Sequence, residues 1–270
     1  MKAIGIDELK KIQIEMMQEF HDFCKANDIQ YFLTGGSLLG AIRHRGYIPW
    51  DDDIDVVLPR PDYQHLLEIF NQEHENTNLK IFNIDVDPQY YTQYAKLMNM
   101  DTVLEEQVDS DRQISVFIDV FPLDNMSDDY DKAKHLFIKT RLYRNLLNLK
   151  NLTFRKDRSL YKNIILLLGK FFLWPISRKS IICSIDKISR IYERPELTNY
   201  VCINVTGTYG IKEILKGEWF SATEEVEFEG RKFYAPKNYD KVLSHFYGDY
   251  MNLPPEEKRV THHAFKAYWK

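Results

Sequence analysis

The sequence predicts an α/β (α+β) fold: a mixed β-sheet flanked by helices, with a basic helical insertion in the middle of the chain. Three observations lead there. Apolar residues recur at helical spacing near the start, as in Leu9, Ile12, Met16, Phe20 and Phe23. Short β-prone runs, bounded by glycine, proline or polar turns, alternate with helical stretches and then follow one another between residues 79 and 123. From Lys132 to Arg190 the pattern becomes mostly helical and basic.

Element by element, residues 7–27 form the first expected helix, with Asp7 placed to cap its start and Asn27-Asp28 to end it. Ile29–Thr34 (IQYFLT) is apolar and β-prone. Gly35-Gly36-Ser37 then turns into a short helix, LLGAIRH, and Gly46–Trp50 turns the chain again. DIDVVL at 53–58 is a strand closed by Pro59 and Pro61, and DYQHLLEIFNQEH resumes helical periodicity. Runs at 79–85, 90–99, 102–106 and 113–123 read as strands. Residues 225–236 form a hairpin turning at Glu229-Gly230, and 238–247 a last helix ended by Gly248. No internal repeat or low-complexity tract interrupts this order.

Composition bounds the function classes. A chain of 270 residues, 44% hydrophobic, 28% charged and 14% aromatic, is globular rather than disordered, and fits one large domain or two small ones. No apolar run reaches 18 residues, which excludes an expected spanning helix. MKAIGIDELKK has no apolar signal region. Cys24, Cys183 and Cys202 are odd in number and far apart, against a disulfide scaffold or a cysteine zinc site. A reducing, cytoplasmic compartment is expected.

Charge is unevenly spread. Between Lys132 and Arg190 stand 15 Lys/Arg against two acids, Asp157 and Asp186, a net of +13, while the remainder carries −17. Within this stretch Asn163-IILLLGKFFLWPI-Ser177 is nearly all apolar, with Arg155, Lys156, Arg158, Arg178 and Lys179 on its flanks. Two readings fit: a buried core helix with solvated basic neighbours, or an interfacial helix resting on an anionic membrane or a polyanionic substrate. No recognition motif supports nucleic acid as a partner.

The chemistry concentrates in FLTGGSLLGAIRHRGYIPWDDDIDVVL. Glycines admit close backbone approach, and the first turn of the following helix offers unpaired N–H groups to phosphate. Asp53 and Asp55 stand at i and i+2 on an expected strand, so their carboxylates share one face, roughly 6–7 Å apart. Two such carboxylates suit one or two Mg²⁺ ions that clamp the oxygens of a phosphoryl transfer. Asp51 and Asp52 read as a solvated acidic loop. Asp119, a lone acid in the apolar strand VFIDVFPL, shares a face with Phe117 and Phe121 and is the natural third ligand. Asp124, after Pro122, reads as a turn or cap residue.

Gly-Ser followed by Asp-Ile-Asp-Val, with a later strand carrying a lone Asp, is similar to the nucleotidyltransferase fold signature. GGSLLGAIRHRGYIPWDDDIDVVLPRPDY, FIDVFPLD and FYGDYMNLPPEEKR together resemble the LicD family, from about Tyr31 to the C-terminus. That resemblance implies transfer of phosphocholine from CDP-choline to sugars of teichoic acid or lipopolysaccharide. It implies that Gly35, Gly36 and Ser37 hold the donor's phosphates. Asp53, Asp55 and Asp119 would bind Mg²⁺ (or Mn²⁺), with Asp119 completing the site or acting as base. Lys96 aligns with a basic family position and would neutralise a donor phosphate, or else is a snorkelling edge lysine. Arg43 lies just beyond the phosphate turn; Arg259 and His262 are candidate donor or acceptor contacts. His262-His263 lack metal-ligand spacing. The zinc-knuckle cysteines of animal relatives are missing, so no zinc is implied.

The expected division is residues 1–130 for the catalytic core, 131–220 for the basic helical region facing membrane or acceptor, and 221–270 for a hairpin and helix completing the core. Partners implied are a CDP-alcohol, a lipid-linked glycan acceptor and the inner leaflet of the cytoplasmic membrane. The alternatives are a nucleotidyltransferase moving NMP from an NTP to a small molecule or protein, and a scaffold that retains the carboxylates without turnover.

Overall fold

The structure is a computed structural model that describes residues 1–105, 114–154, 159–203, 209–260 and 266–270. Its elements, in chain order, are β1 (Lys2–Ile4), α1 (Ile6–Ala26), β2 (Phe32–Leu33), α2 (Gly35–His44), β3 (Asp55–Pro59), α3 (Arg60–Glu73), β4 (Leu79–Phe82), β5 (Ala95–Glu105) and β6 (Ile114–Asn125). Then follow α4 (Tyr130–Asn151), α5 (Leu160–Leu173), α6 (Arg178–Ser189), β7 (Tyr200–Cys202), β8 (Ile214–Lys216), β9 (Thr223–Phe228), β10 (Arg231–Pro236), α7 (Tyr239–Tyr247) and β11 (Lys266–Trp269).

Nine strands form one mixed sheet, in the order β1-β11-β5-β6-β3-β2, with β4 also on β5 and β7-β8 continuing from the end of β6. Only β3 and β6 pair in parallel among the described residues. These strands read as continuous apolar runs because the sheet is covered there: every residue of β6 is buried, and α1 and α3 both pack on it. Edge-on aromatic contacts join these layers, Phe20 to Tyr31 at 5.2 Å and Phe23 to Phe70 at 4.7 Å between centroids. The mixed sheet with flanking helices is the one expected.

The departures have local causes. Gly5, not Asp7, is the N-cap of α1, and Asp7 sits in the first turn, where its charge favours the helix dipole. Of the two strands expected at 90–99 and 102–106, residues 95–105 form a single strand, β5, with a register shift between Asn99 and Leu104, while 90–94 lie in a bent segment before it and 106 lies outside the described residues. Thr102 carries the ladder across it: its hydroxyl donates to the Asn99 carbonyl (2.7 Å) and accepts from the Val116 amide (2.9 Å). β1, β7, β8 and β11 were not foreseen, each being too short for periodicity to register. The hairpin β9–β10 turns at Glu229 (φ 51°) and Gly230 (φ 75°), a left-handed pair that matches the twist of the strands.

Where described, the basic stretch is mostly helical as expected, and α4 packs against both α5 and α6, while Arg155, Lys156 and Arg158 lie outside the described residues. A buried ion pair, Arg144 to Glu213 at 3.0 Å, ties α4 to the segment before β8. No helix among the described residues is long and apolar enough to cross a membrane.

Candidate active site

Parallel register places Asp55, the first residue of β3, directly beside Asp119 on β6, and Asp119 in turn faces Lys96 on β5. Three adjacent strands thus hold acid, acid and lysine in one row, and laterally paired residues share a face of the sheet. Lys96 Nζ donates to Asp119 Oδ1 at 2.5 Å, lies 3.2 Å from the Phe117 ring centroid and 5.4 Å from that of Tyr94. Tyr94 packs edge-on against Phe121 at 4.6 Å. The face expected for Phe117, Asp119 and Phe121 is the one these contacts define. Lys96 is not a snorkelling edge residue: β5 lies inside the sheet and Lys96 is buried.

Burial pushes the Asp55 carboxyl well above the usual carboxylate range, and the charges of Asp53, Asp119 and Asp51 push it further, with Lys96 offsetting part. Three neighbouring acids and one lysine already paired leave an excess of negative charge. Asp53 precedes β3 rather than lying in it, so the i, i+2 strand alternation does not apply, yet its charge acts on Asp55 ahead of that of Asp119.

The solvated-loop reading of Asp51 and Asp52 is corrected. Asp52 is only 4% exposed, and one carboxylate oxygen from each of Asp51, Asp52 and Asp53 lies within 4.8 Å of the others. Helix α1 holds this loop down. Buried Gln13 donates to the main-chain oxygens of Asp52 (3.1 Å) and Phe117 (3.2 Å), and its own oxygen accepts from the Tyr47 hydroxyl (3.0 Å). Hard carboxylate oxygens crowded in this way fit Mg²⁺ or Mn²⁺.

Helix α2 begins at Gly35 itself, not after Ser37. Its first turn is fastened to β3: Ser37 Oγ accepts from the Asp55 amide at 2.8 Å, and the Thr34 amide donates to the Asp55 carbonyl at 3.1 Å. The two glycines are required by close approach. A Cβ on Gly35, which also has φ +56°, would stand 3.1 Å from Asp55 Oδ2, and one on Gly36 would stand 2.4 Å from Asp51 Oδ2. Thr34 gives no side-chain cap, so the first-turn amides of Gly35, Gly36 and Ser37 point out of the helix without an intrahelical acceptor. Amides open to an anion and carboxylates that could hold a cation therefore adjoin.

A cleft of about 460 Å³ opens from this point, lined among others by Gly36, Arg43, Trp50, Asp51, Tyr209 and Tyr247. The Tyr209 and Tyr247 hydroxyls meet at 2.7 Å, and burial pushes both upward, with the Asp55 and Asp51 charges adding to it. Arg43 Nη1 donates to the Tyr250 carbonyl at 2.9 Å, which clamps the C-terminal segment onto α2. Arg259 donates to the Pro254 carbonyl at 2.8 Å, with its guanidinium 5.8 Å from the Trp50 ring centroid. His262 and His263 lie outside the described residues.

Asp124 is neither turn nor cap. It lies in β6, 1% exposed, and accepts from Arg60 Nε at 2.6 Å; Arg60 also donates to Asp186 at 2.9 Å. Its partner stands at residue 60, distant in sequence, so nothing local signalled the pair. Tyr209, Tyr247 and Gln13 were missed for the same reason, since long-range packing brings them to the site, whereas Tyr94 stands two residues before Lys96, a proximity the sequence did offer.

Residues 28–159 match the family model described as "LicD/FKTN/FKRP, nucleotidyltransferase domain". The chain is 32% identical over 276 residues to the lipopolysaccharide cholinephosphotransferase LicD of Haemophilus influenzae, covering 99% of each chain. A shorter stretch of 32 residues, 12% of this chain and 6% of the relative, is 56% identical to the human ribitol 5-phosphate transferase FKRP. Over 57 residues, 21% of this chain and 5% of the relative, it is 39% identical to the mannosyltransferase regulator 4 of Saccharomyces cerevisiae. With similarity to a cholinephosphotransferase running end to end through both chains, the chain belongs to the LicD family and is a phosphotransferase.

Proposed function

We propose that this protein transfers phosphocholine, or a related phospho-alcohol, from a CDP-alcohol to a sugar hydroxyl of a lipid-linked cell-envelope glycan, such as a lipopolysaccharide or teichoic acid precursor, and releases CMP. What supports this reading is Asp55 standing beside Asp119 in register, bearing the charges of Asp53 and Asp51 as well, and tied through its amide to Ser37 in the first turn of α2. The acceptor oxygen forms a bond to the phosphorus bearing the alcohol, the bond from that phosphorus to the CMP oxygen breaks in line, and the acceptor proton passes to a carboxylate. The Gly35, Gly36 and Ser37 amides hold the diphosphate, and Ser37 positions Asp55 through its hydroxyl. Asp53 and Asp55, with Asp51 beside them, would hold Mg²⁺ or Mn²⁺, which when bound neutralises charge on the diphosphate. Asp119, held by Lys96, completes the oxygen set or takes the proton.

The faces of Trp50, Tyr209 and Tyr247 suit the donor's alcohol, above all a quaternary ammonium attracted by aromatic faces and by Asp51. Arg43 lines this cleft, and Arg259 stands beside Trp50 at its wall. Product analysis tests the reading. With CDP-choline, Mg²⁺ and a lipid-linked amino-sugar acceptor, the protein should release CMP, and Asp53→Asn with Asp55→Asn should slow release by about 10³-fold or more. Pyrophosphate release from an NTP, with no CMP from any CDP-alcohol, would establish NMP transfer instead.

A further inference from the structure

Helix α5 presents a contradiction that the proposed chemistry does not absorb. An α-helix that is apolar on all sides is ordinarily buried on all sides. Only one stripe of α5 is covered: Leu166 and Leu173 are buried, and Gly169 between them approaches α4 so closely that a Cβ would stand 2.8 Å from Leu149 Cδ2. Lys150 of α4 fixes the end of α5 by donating to the carbonyls of Leu173 (2.8 Å) and Ile176 (2.6 Å). The helix is thus firmly seated on α4. Yet Ile165, Leu168, Phe171, Phe172 and Trp174 remain 53–78% exposed.

Charge bears on what could cover this face. The surrounding stretch from Lys132 to Arg190 carries +13 in a chain whose remainder carries −17. A two-fold pairing of copies through α5 would set each patch against itself and bring two such positive stretches together. An anionic bilayer complements both features. On such a surface Phe171, Phe172 and Trp174 would reach the acyl boundary, and the exposed Lys179 just beyond the turn would meet lipid phosphates. Fourteen residues rise only about 21 Å, short of the roughly 30 Å hydrocarbon core, so the helix lies in the interface rather than across it. We infer that α5 and the turn after it form an interfacial docking surface for an anionic lipid bilayer, a property that depends on neither the donor nor the catalytic carboxylates.

Flotation of the full chain with vesicles of phosphatidylcholine, alone or mixed with phosphatidylglycerol, tests this directly, with light scattering for oligomeric state and thermal unfolding as a control of folding. The expected result is binding to the mixed vesicles at low salt that weakens at high salt. Phe172→Ser with Trp174→Ser should lower partitioning at least about ten-fold, and Lys179→Glu at least about five-fold, with unfolding midpoints unchanged. No flotation with mixed vesicles overturns the inference. So does a lipid-independent dimer that Phe172→Ser with Trp174→Ser turns into a monomer. Neither outcome bears on CMP release.

Discussion

Asp55 is the residue on which the electrostatics turn. Burial and the Asp53, Asp119 and Asp51 charges hold its carboxyl well above the ordinary range. It therefore binds its proton more tightly in the folded than in the unfolded chain. Without a divalent cation, the stability linked to that proton is complete below the unfolded value and is lost as pH rises through the raised one. At neutral pH in EDTA, Asp55→Asn should raise the unfolding midpoint, roughly 2–4 °C for each kcal/mol of relieved repulsion. Mg²⁺ should raise the midpoint of the wild type and not that of the variant. A variant that melts lower in EDTA would contradict the account. The same proton competes with the cation, so activity should fall on the acid side at a pH above the usual carboxylate value of about 4. At this scale the sequence was most informative where residues lie close along the chain: GGS, DID and the lone Asp119 were readable as chemistry. Asp52 was misread because its burial depends on Gln13 from a helix some forty positions away, and Asp51 because its carboxylate reaches back to Gly36 of α2.

Among elements, the parallel pair β3–β6 decides the outcome, since its register sets Asp55 beside Asp119. Apolar runs such as DVVL and VFIDVFPL gave both strands away, but their pairing was not legible, because register depends on the whole sheet. Short strands escaped for want of length, and the bulge in β5 hid behind what looked like a turn. Buried carboxylates in β6 separate by role. Asp124 faces Arg60, and Asp124→Ala would leave that guanidinium buried with only Asp186, a cost of about 3–5 kcal/mol in urea unfolding. CMP release by the folded fraction should stay within a few-fold of wild type. Asp119→Ala should abolish release. Equal loss of release in both variants would show that the row across β3, β6 and β5 has no special role.

For the molecule as a whole, two features were visible in the sequence before any coordinates: a mixed sheet carrying the acids, and a basic helical stretch apart from them. What stayed hidden was how they relate, because the cleft is assembled from α2, the loop before β3, the residue before Gly210 and α7. Divalent-cation binding next to the diphosphate is central to the proposed chemistry. Titration of Mn²⁺ into the protein with CDP-choline present, followed by the electron paramagnetic resonance signal of free Mn²⁺, tests that claim most directly. The predicted result is loss of free signal in a fixed ratio to protein, abolished by Asp53→Asn with Asp55→Asn. An equal loss of signal with the doubly substituted protein, or none with the wild type, would contradict it.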